Sequence, residues 1–528
     1  MSNPSRFINK FANLSSIVSP SILIIWLSTH FNKMMLRALA AAFYAPGVLG
    51  AISVQGEQQQ QAPLLAAADD WVNAKVVTHE AHPHHSLSFT AHSAGDVKAT
   101  RTAGGDKTPN ILDVCPGATD GYTGYLNSGS KHFYFAYFES RSSPKDDPLV
   151  MWINGGPGCS SMTGLLMELG PCAIDDGGES AHENKDSWIN AANVFFLDQP
   201  IGVGFSYSDN SSDHARGTFA ASEDIYAFMQ LWYKAFPDSR SLPFSIAGES
   251  YGGHYIPIFA SHINDMNKIS PPETQIPLES VLIGNGIFAD TVQATSSYDI
   301  TCTNVTGIGP ILEDDVCKRM AAAVPRCEYL MKACEDYPDP IVCSGAYDYC
   351  GSELQNPYFH SGRNYYDVSK PCVGPLCYPI MKSITTFLRR DGVRKAFGVN
   401  PDTPKFEACS DKVGDEFRKA NDGLIDTRPF VADLLHSEIR VLIYVGTYDW
   451  ICNFVGNERV FGSLPWKGLA DFRYQQENNK QVWEGGLWWE SGVLRYVRIN
   501  GAGHMVPFDK PKHAINMFSA WLNKKPLV

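Results

Sequence analysis

Seven short, almost wholly apolar runs recur along the chain beyond residue 130. They are His132–Phe138, Leu149–Ile153, Val194–Leu197, Phe244–Ala247, Ser280–Ile283, Val441–Val445 and Leu494–Val497. Five of the seven abut a Gly, Pro or Asp, and such runs suit strands buried on both faces of a sheet. Ala220–Phe236 instead spaces its apolar residues as an amphipathic helix does. Strands alternating with helices predict an α/β protein with a central, mostly parallel sheet. From Asp290 to Ala432 the rhythm breaks into a cysteine-rich stretch. The expected layout is a core from 111–289 and 433–528, with 290–432 inserted over the sheet as a cap. No internal repeat is visible.

The first 110 residues follow neither pattern. Ile22–Leu27 is a short apolar run. A second begins near Met34 and Met35, carries Arg37, passes through Leu39–Phe43 and ends in Leu49-Gly50-Ala51. Basic start, apolar middle and small exit are the parts of a signal peptide. Residues 1–54 are therefore read as a leader whose true start is Met34 or Met35, with one long signal anchor as the alternative. Neither run reaches the ~20 apolar residues of a membrane span, so no stable span is expected. Residues 55–110 show no sustained period and read as a pro-segment or linker. His79, His82, His84 and His85 cluster there. Metal binding is one reading of them; a solvated pro-segment is preferred, because no cysteine or spaced carboxylate completes a site.

Composition narrows the class. The chain has 528 residues, 44% hydrophobic and 12% aromatic, enough for a large core and against disorder. Forty-three basic residues against 56 acidic ones give a net charge of −13, so no nucleic-acid partner is expected. Eight of the 13 cysteines fall between Cys302 and Cys377. Two cysteines separated by two residues never occur, so disulfides in an oxidising compartment are expected, with no metal. The odd count leaves one thiol over. Asn210-Ser211-Ser212 and Asn304-Val305-Thr306 are glycosylation sequons, and Asn13 heads another in the leader.

Gly248-Glu249-Ser250-Tyr251-Gly252 has the form of a nucleophile elbow, with the run Phe244–Ala247 ahead of it as the elbow requires. A serine hydroxyl needs a general base, and the base an orienting acid. Asp449 and His504 follow Ser250 in hydrolase order, each in a loop just past an apolar run. Asn154-Gly155-Gly156-Pro157-Gly158 follows Leu149–Ile153 and suits either a tight turn or backbone donors for an oxyanion.

Longer segments around these residues resemble the serine carboxypeptidases, most closely the yeast-type carboxypeptidase Y group. They are Tyr122–Leu126, Trp152–Ser161, Phe196–Pro200, Gly248–Tyr255, Asp449–Asn453 and Gly503–Pro507. The resemblance runs from about Cys115 to the carboxyl terminus. It implies the α/β-hydrolase fold, no cofactor, and peptide and protein carboxyl termini as partners. Ser250 would be the nucleophile, His504 the base and Asp449 its partner, with the amides of Gly156 and Tyr251 as oxyanion hole. Asn154, Gly155 and Glu249 would bind the substrate's terminal carboxylate, supported by Trp152 and Glu168. Thr163, Met167, Tyr366, Tyr378, Met381 and Met505 would line an apolar pocket for the last side chain. The implied bridges are Cys159–Cys409, Cys302–Cys317, Cys327–Cys350, Cys334–Cys343 and Cys372–Cys377. Cys115 and Cys172 would then join each other, and Cys452 would stay free, as a mercurial-sensitive thiol or a small buried hydrophobe. Gly253 stands where Ala is common in the family, Thr447 where Asp is common, and Ala502 interrupts a run of glycines.

Glu249 beside a carboxylate ligand is expected to keep its proton, since two carboxylates in contact do not both ionise. Peptide binding should then be best in acid, whereas free histidine, with a pKa of about 6.5, favours a base at neutral pH. The expected activity is release of single, preferably hydrophobic, carboxyl-terminal residues in a vacuole-like compartment or outside the cell. Gln61-Ala62-Pro63-Leu64 is similar to a vacuolar sorting signal of the yeast enzyme. An esterase or acyltransferase on the same scaffold, and a non-catalytic binding protein, are the alternatives. The oligomeric state is not legible.

Overall fold

The structure is a computed structural model that describes residues 74–93, 110–213 and 217–528. The leader, Asn13 and Gln61–Leu64 lie outside the described residues. The strands are β1 (Lys75–His79), β2 (His82–His92), β3 (Gly121–Ser128), β4 (Lys131–Phe138), β5 (Leu149–Ile153), β6 (Cys172–Ile174), β7 (Ala181–Glu183) and β8 (Asn193–Leu197). They continue as β9 (Tyr207–Ser208), β10 (Phe244–Glu249), β11 (Leu278–Gly284), β12 (Arg440–Gly446), β13 (Gln481–Trp483), β14 (Gly486–Ser491) and β15 (Leu494–Ile499). Thirteen of them form one sheet in the order β1-β2-β3-β4-β8-β5-β10-β11-β12-β15-β14-β13, with β9 beside β4; β6 and β7 make a separate ribbon. The six strands from β8 to β15 are mutually parallel, and the flanks are antiparallel.

All seven apolar runs are strands of this sheet, six of them its parallel centre. Alternate side chains explain why the runs are apolar throughout. Met151, Ile153, Ile246, Ile283 and Ile443 enter one core cluster, whereas Val150, Trp152, Ala247, Leu282 and Leu442 enter another. Side chains on a strand alternate between faces, so a strand covered on both sides has no polar register.

Two long helices cover one face: α1 (Thr218–Ala235) and α2 (Gly252–Ile269). Pro257 sits inside α2 and removes the N–H that would bond the Gly253 carbonyl. The Thr427 hydroxyl donates to that oxygen instead, at 2.8 Å. Gly253 is also packed closely: an added Cβ would lie 2.3 Å from the Ile287 carbonyl oxygen. Glycine at this position therefore has a steric reason in this chain.

The segment 290–432 is largely helical. Its longest helices, α3 (Asp314–Asp336) and α4 (Pro340–Cys350), enclose a small cluster around Met320, Met331 and Leu354. Cys302–Cys317, Cys327–Cys350 and Cys334–Cys343 cross-link this stretch. Cys372–Cys377, Cys159–Cys409 and Cys115–Cys172 are also bonded, and Cys452 is free and buried. A core this small carries limited hydrophobic stabilisation, which covalent staples supplement.

The amino-terminal side differs from expectation. Residues 75–92, inside the stretch read as a pro-segment or linker without a sustained period, form an antiparallel hairpin, β1 and β2, extending the sheet beyond β3. The alternation is short: only Leu87 and Phe89 are buried apolar positions, and the third buried position, His92, is polar and out of step with them. The solvated reading of the histidines holds for exposed His84, whereas His79, His82 and His85 are half-buried.

Candidate active site

The carboxyl ends of the six parallel strands converge on one place. In spatial order they deliver Asp198 after β8, Asn154 after β5, Glu249 and Ser250 at β10, Asn285 after β11, Asp449 after β12 and His504 after β15. Ligand sites of α/β sheets lie at this edge because the chain turns there from strand to helix.

Ser250 occupies the turn between β10 and α2 with φ +61°, a left-handed conformation uncommon for a side-chain-bearing residue. Neighbouring backbone holds it: its N–H donates to Gly284 O (3.0 Å), and its carbonyl accepts from Ile287 N (2.9 Å). The turn after β5 lies against this elbow. A Cβ on Gly155 would fall 2.5 Å from Tyr251 N and 2.7 Å from Ser250 Cβ. Any side chain there would fill the space in front of the Tyr251 amide. Gly156 has φ +116°, which only glycine adopts readily.

Asp449 and His504 leave adjacent strands, and their loops interlock: a Cβ on Gly446 would lie 2.0 Å from Gly503 O. His504 Nδ1 lies 2.9 Å from Asp449 Oδ2, with both side chains buried. The same carboxylate oxygen accepts from Asn285 Nδ2 (2.8 Å) and Cys452 N (3.2 Å), while Oδ1 accepts from Ile451 N (3.1 Å). A buried carboxylate so surrounded stays where the imidazole needs it. Asn285 was not singled out in the sequence; its signal is the Gly284-Asn285-Gly286 turn directly after a strand.

On the other side of Ser250, Trp152 Nε1 and Gly164 N both donate to Asn154 Oδ1 (2.8 and 3.0 Å). This fixes the amide, and Asn154 Nδ2 reaches Glu249 Oε1 (3.0 Å) and Glu168 Oε1 (3.4 Å). The two carboxyl groups meet, both fully enclosed. Burial first, and then each other's charge, push Glu249 well above the usual carboxylate range; burial pushes Glu168 up to about 7. Glu249 Oε2 and Glu168 Oε2 have no donor partner, which requires a proton on the pair.

Met167 and Glu168 share the short helix Gly164–Glu168, which begins after Thr163. Met167, Tyr378, Met381 and Met505 are buried in one cluster, with Tyr366 packed against it. The Tyr366 ring stands 4.8 Å from the His504 ring and 5.6 Å from that of Tyr378. Thr163 Oγ1 and the Tyr378 hydroxyl are buried without partners.

Cys452 Sγ lies within 4.8 Å of donor atoms of both Asp449 and His504. Burial pushes this thiol well up, and the Ser250 hydroxyl is in hydrogen-bonding contact with it. A thiol so held is a buried small group rather than a thiolate nucleophile. A further network joins two of the segments that carry the resemblance, Trp152–Ser161 and Phe196–Pro200. Asp198 accepts from Ser160 Oγ (2.6 Å), Ser161 N (2.8 Å) and Phe205 N (2.9 Å), locking the segment after the glycine turn. Burial raises its carboxyl to about 6. Asn210 and Asn304 are exposed.

The family profile described as Serine carboxypeptidase matches residues 114–524. Carboxypeptidase Y of Candida albicans is 40% identical over 410 residues, 76% of this chain and 73% of its own. Carboxypeptidase Y of Saccharomyces cerevisiae is 39% identical over 429 residues, 79% and 78% of the two chains. Among solved structures, the prohormone-processing carboxypeptidase Kex1(delta)p of Saccharomyces cerevisiae shares the fold. Its TM-score is 0.68 at 23% identity, covering 79% of this chain and 94% of that one.

Proposed function

We propose, for a chain that belongs to the serine carboxypeptidase family and is a serine-type peptide hydrolase, the following division of labour at its site. Ser250 Oγ attacks the last peptide carbonyl while its proton passes to His504 Nε2, and Asp449 holds Nδ1 and balances the imidazolium. The Gly156 and Tyr251 amides receive the oxyanion. Collapse breaks the C–N bond, and the proton on His504 goes to the leaving amine of the terminal residue. Water then repeats the cycle on the acyl-serine, releasing a peptide one residue shorter.

The observation that carries the exopeptidase reading is the enclosed Asn154–Glu249–Glu168 group beside Ser250. A protonated acid pair has a hydrogen to offer, and a free terminal carboxylate is the ligand that needs one. The carboxylate displaces one acceptor from Asn154 Nδ2 and takes the proton on Glu249 as a hydrogen bond. An amidated terminus offers no such charge-assisted bond. Thr163, Met167, Tyr366, Tyr378, Met381 and Met505 take the last side chain, an apolar one by their chemistry. Six disulfides and exposed sequons favour an oxidising secretory route, ending in a vacuole-like compartment or outside the cell. Among the described residues no helix is long and apolar enough to cross a membrane.

The test is mass spectrometry of one peptide with free and amidated carboxyl ends in mild acid, for intact protein, amino-terminally trimmed protein and Ser250→Ala. Stepwise loss of single residues from the free end, absent with Ser250→Ala, is expected. Equal trimming of the amidated peptide would overturn the assignment of the acid pair. Trimming by Ser250→Ala at the full rate would overturn that of the nucleophile.

A further inference from the structure

Strands β1 and β2 lie ahead of the segment that matches the family, and they are held to the rest in two ways. One is the main-chain ladder to β3, from His85 opposite Ser128 to His92 opposite Gly121. The other is a side-chain seam against α1, and it is built from histidines. The His82 ring sits edge-on to Tyr226 of α1, centroids 5.7 Å apart, between His79 at 5.3 Å and His85 at 6.0 Å. His85 Nε2 lies 3.3 Å from Asp224 Oδ1 and 3.0 Å from Ser128 Oγ; Asp224 is also reached by Lys131 at 3.3 Å. At the far end of β2, buried His92 lies 2.7 Å from Thr123 Oγ1. Below Tyr226 is His262 of α2, its ring 5.7 Å away.

We propose that this hairpin is an acid-released element, docked on β3 and α1 at neutral pH and displaced from them when its seam histidines take up protons. The charges around the seam set the direction. His79 faces Lys234 and Arg240, with Glu80 opposing them, and His82 faces His79 and His85. His92 has Asn110 as a further partner. His262 is flanked by Glu223 and Asp265. Burial first, then the cationic neighbours, hold His79 and His82 below the ordinary histidine value, and burial holds His92 down to about 4. A value lowered in the docked state means that the undocked hairpin binds protons more tightly. Docking is therefore at full strength above about pH 6.5, the value of free histidine, and weakens as pH falls through the lowered values. Protonation of His79 and His82 places two like charges on neighbouring rings of the seam, 5.3 Å apart.

Release uncovers the edge of β3 and the aromatic surface of Tyr122 and Phe236, on which Phe89 now packs. It also exposes the hairpin's own backbone to cutting. In a peptidase that works in acid, this would couple the pH of the compartment to removal of the amino-terminal segment. The inference rests on none of the catalytic assignments.

The test is hydrogen exchange by mass spectrometry, corrected for intrinsic rates, on the full chain carrying Ser250→Ala to prevent self-trimming. At pH 5 the protection of 75–92 and of β3 is expected to fall at least tenfold relative to pH 7.5, with β10 and β11 unchanged. The triple variant His79→Gln, His82→Phe, His92→Gln should keep its protection at pH 5. Unchanged protection of the parent hairpin at pH 5, or an equal acid loss in the triple variant, overturns the proposal. Should the variant fail to dock at neutral pH, ring titrations by NMR decide. His79, His82 and His92 must titrate lower in the full chain than in a peptide of residues 74–93, and equal values overturn it.

Discussion

Glu249 is the residue whose chemistry depends most on its neighbour. Alone it would be an ordinary carboxylate; against Glu168 in a dry site it holds its proton through neutral pH. The sign for substrate binding follows. If the terminal carboxylate binds the protonated pair, as proposed, binding is full in acid and is lost as pH rises past the raised values, near 7 for Glu168. KM should rise steadily between pH 6 and 8.5, with kcat changing less. Glu249→Gln keeps a donor that does not titrate, so its KM should stay nearly flat over that range; Glu249→Ala should raise KM at every pH. Steady-state kinetics on one peptide across pH would check all three, and a flat wild-type KM would count against the pair. Asn285 poses a separate question. It donates to Asp449 Oδ2 and accepts from Gly446 N at 3.1 Å, so it ties β11, β12 and the acid together. Asn285→Ala should lower kcat/KM about ten- to a hundredfold, the equivalent of ~1.5–3 kcal/mol for a lost hydrogen bond to a charged group. Asn285→Asp, which sets carboxylate against carboxylate, should fall further. Activity equal to wild type in both variants would make Asn285 dispensable.

At the scale of elements, the parallel strands and the nucleophile turn were readable because their causes are local. Continuous apolar runs mark the strands, three of them ending directly at a glycine, and Gly248 and Gly252 give the elbow the room it needs. The hairpin β1–β2 was not readable, because its pattern becomes meaningful only once β3 and α1 supply partners. The insertion stands between these cases. Its cysteines announced covalent staples, while their pairing came from family resemblance rather than from spacing. Cys327–Cys350 closes 23 residues between α3 and α4, which chain entropy values at about 3 kcal/mol. Replacing both cysteines by serine should loosen α3 and α4 selectively, seen as faster hydrogen exchange there with β10–β12 unchanged. Uniform loosening of the whole chain would mean that insertion and sheet unfold as one unit.

For the whole molecule, the sequence by itself determined the parallel centre of the sheet, the order Ser250, Asp449, His504, and the glycine turn at Asn154–Gly158. These features depend on short-range sterics and on apolar runs, which any reader of the chain can see. Tertiary structure alone decided which groups meet. Asn285 reaches Asp449 across 164 positions of chain, and Glu168 meets Glu249 because β5 and β10 are neighbours. The histidines of 75–92 become a seam only where α1 passes beneath them. Proximity between distant residues, and the protonation that burial enforces on them, are properties of the packed chain and have no local pattern from which to be read.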